Sequence, residues 1–422
     1  MSRWSFNWNG WSVSFYIFLI FGTLVCACNY VVGAYCGLSP ARVFCLDVVS
    51  FYLIVLSVSL CVALVFFVSS LSFFSVVMLL VSAVCSVFCY CCFNAFWFWW
   101  LYEAAIVSLI FLLVFESPYP ERYVASWYFA GYLLLGSLPM LLCIMYLAVW
   151  FGSNYFGNWS LLSILSYKVL LLLSVLFISK IPVFPFHNWL PLVHAEVPFP
   201  VSVCLSGYIM KLGLLGLCRL CGRVLPDEVF RIFYLAICLV VSVLFFVSAC
   251  TELDSKRWLA FMSLAHINIS CVCLGIADPG KESLAMLYSL GHGLSSSLVF
   301  IMLWVFYDLI GSRSWFVLKS IVSNSVALNL LLVGSMCVVM SVPPTVQFFC
   351  EVYSLVKSSE FGVVLFFFLG CYLFLGGVVP LVLLGGLFTR HVSMQVFYDS
   401  VVGRAASVFF LLVMCFVMFA LA

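Results

Sequence analysis

Residues 48–102 read VVSFYLIVLSVSLCVALVFFVSSLSFFSVVMLLVSAVCSVFCYCCFNAFWFWWLY, without a single Asp, Glu, Lys or Arg. A helix crosses a bilayer with roughly 20 predominantly apolar residues, so this stretch alone must cross more than once. A second charge-free run, Tyr123 to Tyr167, repeats the pattern. Alternation of apolar and polar side chains would signal a transmembrane barrel. Segments such as Leu239 to Val247 are instead apolar on nearly every face. That leaves helices, the other structure that satisfies its own backbone inside lipid.

Composition extends this reading to the whole chain. Hydrophobic residues make up 67% and charged residues 8%, where a soluble domain carries roughly a quarter charged. A net charge of +2 without a basic run excludes nucleic acid as a partner. No Ser/Pro/Gly linker or polar block divides the sequence, so residues 1–422 are expected to form a single membrane domain. Met1–Gly10 holds one Arg and no small-residue cleavage site, unlike a removable signal peptide. The 21 cysteines are mostly scattered through apolar runs, where a thiol acts as a small hydrophobe. Cys89–Cys92 and Cys218–Cys221 are CxxC pairs, but their separation fits no zinc ribbon. No iron–sulfur spacing or GxGxxG turn is present, so the chain is expected to carry no metal and no cofactor of its own. The richness in Cys, Phe, Val and Ser fits a T- and G-rich coding genome, as in some mitochondria.

Apolar runs between polar punctuation predict about thirteen spans, near 12–36, 48–69, 71–93, 95–115, 126–150, 165–187, 198–218, 229–250, 258–276, 283–309, 324–357, 361–388 and 405–422. The sixth and eleventh are expected to be broken. Lys180 is followed by Pro182 and Pro185, and Pro343 and Pro344 precede Glu351; proline removes a backbone donor and clashes with the preceding turn. Matching breaks in two halves point to a transport site between inverted repeats. The expected fold is an all-α polytopic membrane protein with two proline-broken helices and inverted five-helix repeats. Its first half-channel repeat would be 71–218 and its second 229–357, with C-terminal helices over 361–422. The halves share no convincing residue-level repeat.

Most charged residues fall in expected loops: Glu116, Glu121 and Arg122; Asp227, Glu228 and Arg231; Glu252, Asp254, Lys256 and Arg257; Asp278, Lys281 and Glu282. These are expected to be solvated or at headgroup level. Lys168 sits near the start of a span and is expected to snorkel, and Asp47 to cap a helix. Six residues lie several positions inside apolar runs: Glu103, Lys180, Lys211, His266, His292 and Glu351. A charge at the bilayer centre costs at least ~2.5–3.5 kcal/mol on insertion scales. Each alone could be a paired structural residue. Six in six runs favour one shared interior, where burial brings amines, carboxyls and imidazoles toward proton exchange near neutral pH. His187 and His194 are expected in a loop, which leaves no facing His pairs for haem.

The segment Lys180 to Lys211, KIPVFPFHNWLPLVHAEVPFPVSVCLSGYIMK, resembles the signature of the antiporter-like subunits of respiratory complex I and of Mrp-type sodium/proton antiporters. Further matches are Tyr102-Glu103, Glu121-Arg122, Gly136 to Pro139, Asp254 to Arg257, Ser263 to His266, Gly291 to Leu298, and Pro343-Pro344-Thr345 followed by Glu351. Order and spacing agree over roughly residues 45 to 390. The resemblance implies that Glu103 and Lys180 pair in the first half-channel, that Lys211 and His266 form a central bridge, and that His292 and Glu351 serve the second. The sister chains 2 and 5 of complex I usually carry Lys where this chain has Glu351. The family usually has fourteen helices, and this chain reads one short before Asp47. Leu192 is apolar where relatives often have Lys or Asp.

By the same resemblance the chain would be a multi-pass subunit of an H+-translocating NADH:ubiquinone reductase in the mitochondrial inner membrane. Flavin, iron–sulfur clusters and ubiquinone would belong to other subunits. Its partners would be the lipid bilayer and other membrane-arm subunits, the sister chains 2 and 5 among them. The rival readings are an Mrp-type sodium/proton antiporter subunit, and a structural membrane subunit without transport, in which relay residues should be lost.

Overall fold

A computed structural model describes residues 43–133, 136–156, 159, 164–222, 230–276, 283–322, 326–389 and 402–421. Among these residues the only β-structure is three isolated bridges, and the architecture is helical throughout. The first helices show why the chain breaks where it does. Helix α1 (Val48–Val65) opens at Asp47, whose backbone N–H donates to Ser50 Oγ at 2.6 Å. Helix α2 (Phe73–Cys91) opens at Ser72, whose hydroxyl accepts from the Ser75 N–H at 3.0 Å. Helix α3 (Ala95–Glu116) opens at Asn94, whose Oδ1 accepts from Phe96 N at 3.1 Å and Trp97 N at 3.4 Å. The first N–H groups of a helix have no partner within it, and a polar cap supplies one.

An all-apolar helix cannot choose its buried face by hydrophobicity, since lipid is as apolar as the protein interior. Small residues decide instead, because they let backbones approach closely. Along α2 the buried positions include Ser75, Leu79, Ser82, Ser86 and Cys89, spaced by three and four residues as one helical stripe. Phe73, Leu80, Val84 and Phe88 are exposed. The stripe packs on α3, where Ser82 Oγ donates to the Ala105 carbonyl at 3.0 Å.

The chain continues through α4 (Arg122–Leu133), α5 (Ser137–Phe151), α6 (Ile164–Lys180), the eight-residue α7 (Trp189–Glu196) and α8 (Phe199–Cys221). Then follow α9 (Ile232–Thr251), α10 (Ser255–Ile276), α11 (Ser283–Ile310), α12 (Trp315–Val322) and α13 (Val326–Val339). The last are α14 (Val346–Phe361), α15 (Val363–Phe388) and α16 (Val402–Val417). Helices α8, α10 and α11 form the centre: 100%, 89% and 78% of their apolar windows are buried, against 28% for α15. Within α8, π-helical turns span Leu205–Ile209 and Leu217–Cys221. Gly216 lets this helix lie directly on α6, since a Cβ there would sit 2.3 Å from the Phe177 ring.

Both expected breaks are present, α6 to α7 across Ile181–Asn188 and α13 to α14 across Met340–Thr345. Among the described residues ten helical segments are long and apolar enough to cross a membrane, α4 and α5 being counted together as Arg122–Phe151. The expected span at 12–36 lies outside the described residues, as do Asp227, Glu228, Asp278, Lys281 and Glu282. The sixth and eleventh spans are each divided at proline into shorter helices, so neither counts as one continuous crossing. Two local expectations are also corrected. His194 lies on α7, fully buried, rather than in a loop. Lys256 is 0% exposed rather than solvated, because α10 begins at Ser255 and folds it under neighbouring aromatic rings.

Candidate functional site

All six residues singled out for their depth are buried in the protein interior and none faces lipid, Glu103 being the most exposed at 9%. They fall into three groups.

The first group is a direct ion pair. Glu103, in the middle of α3, meets Lys180, the last residue of α6, with Oε1 accepting from Nζ at 2.7 Å. The Lys180 ammonium also stands 4.3 Å from the centroid of the Tyr102 ring, a cation–π contact. Its position follows from the break. Lys180 ends α6, where the last carbonyls and the negative pole of the helix favour a cation. The second carboxylate oxygen, Glu103 Oε2, is buried and has no protein hydrogen bond.

Lys211 forms the second group, on α8. It is completely buried and has no ion-pair partner among the described residues. Its Nζ donates to the Ser206 carbonyl. The Ser206 hydroxyl in turn meets His194 Nε2 at 3.2 Å, so Lys211 is linked through one serine to the short helix α7.

The third group is a network. On α10, His266 Nδ1 lies 2.5 Å from Tyr372 OH, 3.2 Å from Gln347 Nε2 and 3.4 Å from Tyr288 OH. On α14, Glu351 Oε1 accepts from Tyr288 at 3.2 Å, Gln347 at 3.2 Å and Tyr372 at 3.4 Å. The two phenol oxygens are 3.2 Å apart. His266 and Glu351 approach to 3.9 Å, and the His292 ring stands 5.6 Å from that of His266, centroid to centroid. Both ring nitrogens of His292 and Nε2 of His266 are buried without a protein partner. Buried polar atoms of this kind are ordinarily satisfied by ordered water, which can also carry protons between groups that do not touch.

Sequence reasoning missed His194, Tyr288, Gln347 and Tyr372 here. Two signals were available: Tyr288 with His292 and Gln347 with Glu351 are spaced i, i+4 and therefore share a helix face.

The profile of a family described as "NADH:quinone oxidoreductase/Mrp antiporter, TM" matches residues 93–376, a range that contains all six residues. "NADH-ubiquinone oxidoreductase chain 4" of Artemia franciscana is 28% identical over 260 residues, 61% of this chain and 65% of the relative. The protein of the same name from Aedes aegypti is 33% identical over 272 residues, 61% of this chain and 58% of the relative. The Locusta migratoria protein is 29% identical over 350 residues, 77% and 76% of the two chains. For the first two, therefore, the similarity spans less than two thirds of the relative's own length. A chain of respiratory complex I from Thermus thermophilus shares the fold at a TM-score of 0.82 and 18% identity, over 94% of this chain and 90% of that one. A chain of the Mrp complex from Dietzia shares it at 0.76 and 14% identity, over 98% and 90%.

Proposed function

The chain belongs to the NADH:quinone oxidoreductase/Mrp antiporter family, and on that premise we propose that it translocates protons as a chain 4-type subunit of a respiratory NADH:ubiquinone oxidoreductase. The observation that carries the reading is the series of buried ionisable groups, from the Glu103–Lys180 pair through Lys211 to His266, His292 and Glu351. Such groups are costly at membrane depth and mark ion or proton pathways. In this reading residues 71–218 and 229–357 are the two half-channel repeats.

Lys180 exchanges between pairing with Glu103 and passing a proton toward Lys211. The His266–Tyr–Gln347–Glu351 network relays it through the second half. Each charge moved against the membrane potential is worth about 2.3 kcal/mol per 100 mV, so the relay has to be gated. The driving reaction, NADH oxidation and quinone reduction, belongs to other subunits, which hold the flavin, the iron–sulfur clusters and the ubiquinone. The partners are the remaining membrane-arm subunits, including sister chains 2 and 5. The eukaryotic relatives favour the mitochondrial inner membrane as its location.

The test is Lys211→Ala in the assembled complex. The chain is expected to insert normally, since removing a buried charge eases insertion, and pumping through this subunit is expected to stop. Unchanged proton uptake per NADH oxidised rejects the function. The likeness to the Mrp chain keeps a sodium/proton antiporter in view; that alternative requires proton uptake to depend on sodium.

A further inference from the structure

The short helix α7 is separated from its neighbours at both ends, by Pro182 and Pro185 before it and Pro198 after it. The last carbonyls of a helix have no partner within it. Three carbonyls at the end of α7 are met by side chains distant in sequence. Arg313, between α11 and α12, donates to Ala195 O. Ser117, just beyond α3, donates to Glu196 O at 2.5 Å. Lys256, on α10, donates to Val197 O at 2.6 Å.

The two cations are held firmly in turn. Lys256 Nζ stands 3.8 Å from the Phe199 ring centroid and 4.9 Å from that of Tyr119. The Arg313 guanidinium lies 4.2 Å over the same Tyr119 ring and pairs with Asp254 at 3.4 Å. A cation at a helix C-terminus is favoured by the helix dipole as well as by the hydrogen bond. The other end of the connection is His194, on the last turn of α7, which reaches Ser206 and through it Lys211.

We propose that Lys256 and Arg313 are positioning residues: by clamping the terminal carbonyls of α7 from the second half of the chain, they hold His194 against Ser206 and so fix the surroundings of Lys211. This rests on the relay role of Lys211 proposed above. The clamp gives the second half of the chain a mechanical hold on proton transfer at the centre, without contributing a group to the relay itself. A merely structural pair of cations would affect assembly and nothing else.

The experiment compares Lys256→Met, Lys256→Arg and Lys211→Ala in membrane vesicles carrying the assembled complex, with NADH oxidation and proton uptake recorded together. Methionine keeps an unbranched body between the two rings but donates no hydrogen bond. The expected result is an assembled Lys256→Met complex that oxidises NADH while its protons per NADH fall to the Lys211→Ala level, with Lys256→Arg restoring most of the yield. Parental yield in Lys256→Met beside a lowered yield in Lys211→Ala overturns the clamp alone. Parental yield in Lys211→Ala overturns the relay reading beneath it. Should Lys256→Met fail to assemble, Arg313→Met, which likewise donates no hydrogen bond, decides in the same assay: the Arg313 side chain is partly exposed and tolerates exchange more readily. Parental yield there also overturns the clamp.

Discussion

At the first break, Lys180 depends on one carboxylate, Glu103; at the second, Glu351 is surrounded by two phenols, an amide and an imidazole. The first arrangement is a two-member ion pair in which each charge compensates the other. The second spreads one charge over several hydrogen bonds, none of which comes from a lysine or arginine. The contrast teaches that equal burial does not mean equal fragility. A pair loses everything when one member goes, whereas a network redistributes its hydrogen bonds.

The largest effect is therefore expected at Glu103→Gln. Removing one partner of a buried pair leaves an uncompensated charge at a cost of about 3–5 kcal/mol. Lys180 is expected to shed its proton rather than bear that cost, and a neutral lysine cannot drive a proton onward. NADH-driven proton uptake, measured at matched assembly, should collapse. Glu103→Asp keeps the charge on a shorter stem and should retain part of the activity. A Gln variant that pumps like the parent beside a poorer Asp variant would identify Glu103 as a packing residue and break the comparison at its first term.

A smaller loss is expected at Glu351→Gln. The amide oxygen still accepts from Tyr288 and Tyr372, so the structural loss is only the extra strength of hydrogen bonds to a charged acceptor, ~1.5–3 kcal/mol against ~0.5–1.5 for neutral ones, while the carboxyl's capacity to carry a proton is lost with it. Assembly should stay near the parent while proton uptake drops. A Glu351→Gln complex that fails to assemble, while Glu103→Gln assembles well, would reverse the ranking of the two sites.

The part of this contrast legible in the sequence was the part that departs from its surroundings. A carboxylate or amine within an apolar run stands out by its insertion cost, so the burial of Glu103, Lys180, Lys211 and Glu351 is legible in the sequence, as are both proline breaks. His194 was hidden because the prolines around it read as loop, although eight residues suffice for a helix between two breaks. Lys256 was hidden by a boundary: the span was expected to start at 258, and α10 starts at Ser255. Its burial comes from Phe199 and Tyr119, residues distant in sequence, and no local pattern reports it. Tyr288 and Tyr372 gave little signal because tyrosines are ordinary in apolar spans. Only the packing of α10, α11, α14 and α15 turns them into hydrogen-bond donors at one carboxylate.

The smallest effect is expected at Tyr372→Phe. Its hydroxyl touches His266 at 2.5 Å, Tyr288 at 3.2 Å and Glu351 at 3.4 Å. Without it Glu351 keeps Tyr288 and Gln347, and His266 keeps Gln347 at 3.2 Å and Tyr288 at 3.4 Å. The loss should be of the order of one neutral hydrogen bond, ~0.5–1.5 kcal/mol, and proton uptake should fall only slightly. Tyr288→Phe should be worse, because that phenol meets His266, Gln347, Glu351 and Tyr372 together. Removing both hydroxyls should cost more than the sum of the single losses, since each phenol substitutes for the other; residues in one network typically show coupling of ~0.5–3 kcal/mol. The cycle is read as proton uptake per NADH in the parent, both single variants and the double variant at matched assembly. If Tyr372→Phe alone is as severe as Glu103→Gln, protons pass between His266 and Glu351 by a single file through the shortest contact. The second half would then be as fragile as the first, and the distinction between a pair and a network would fall.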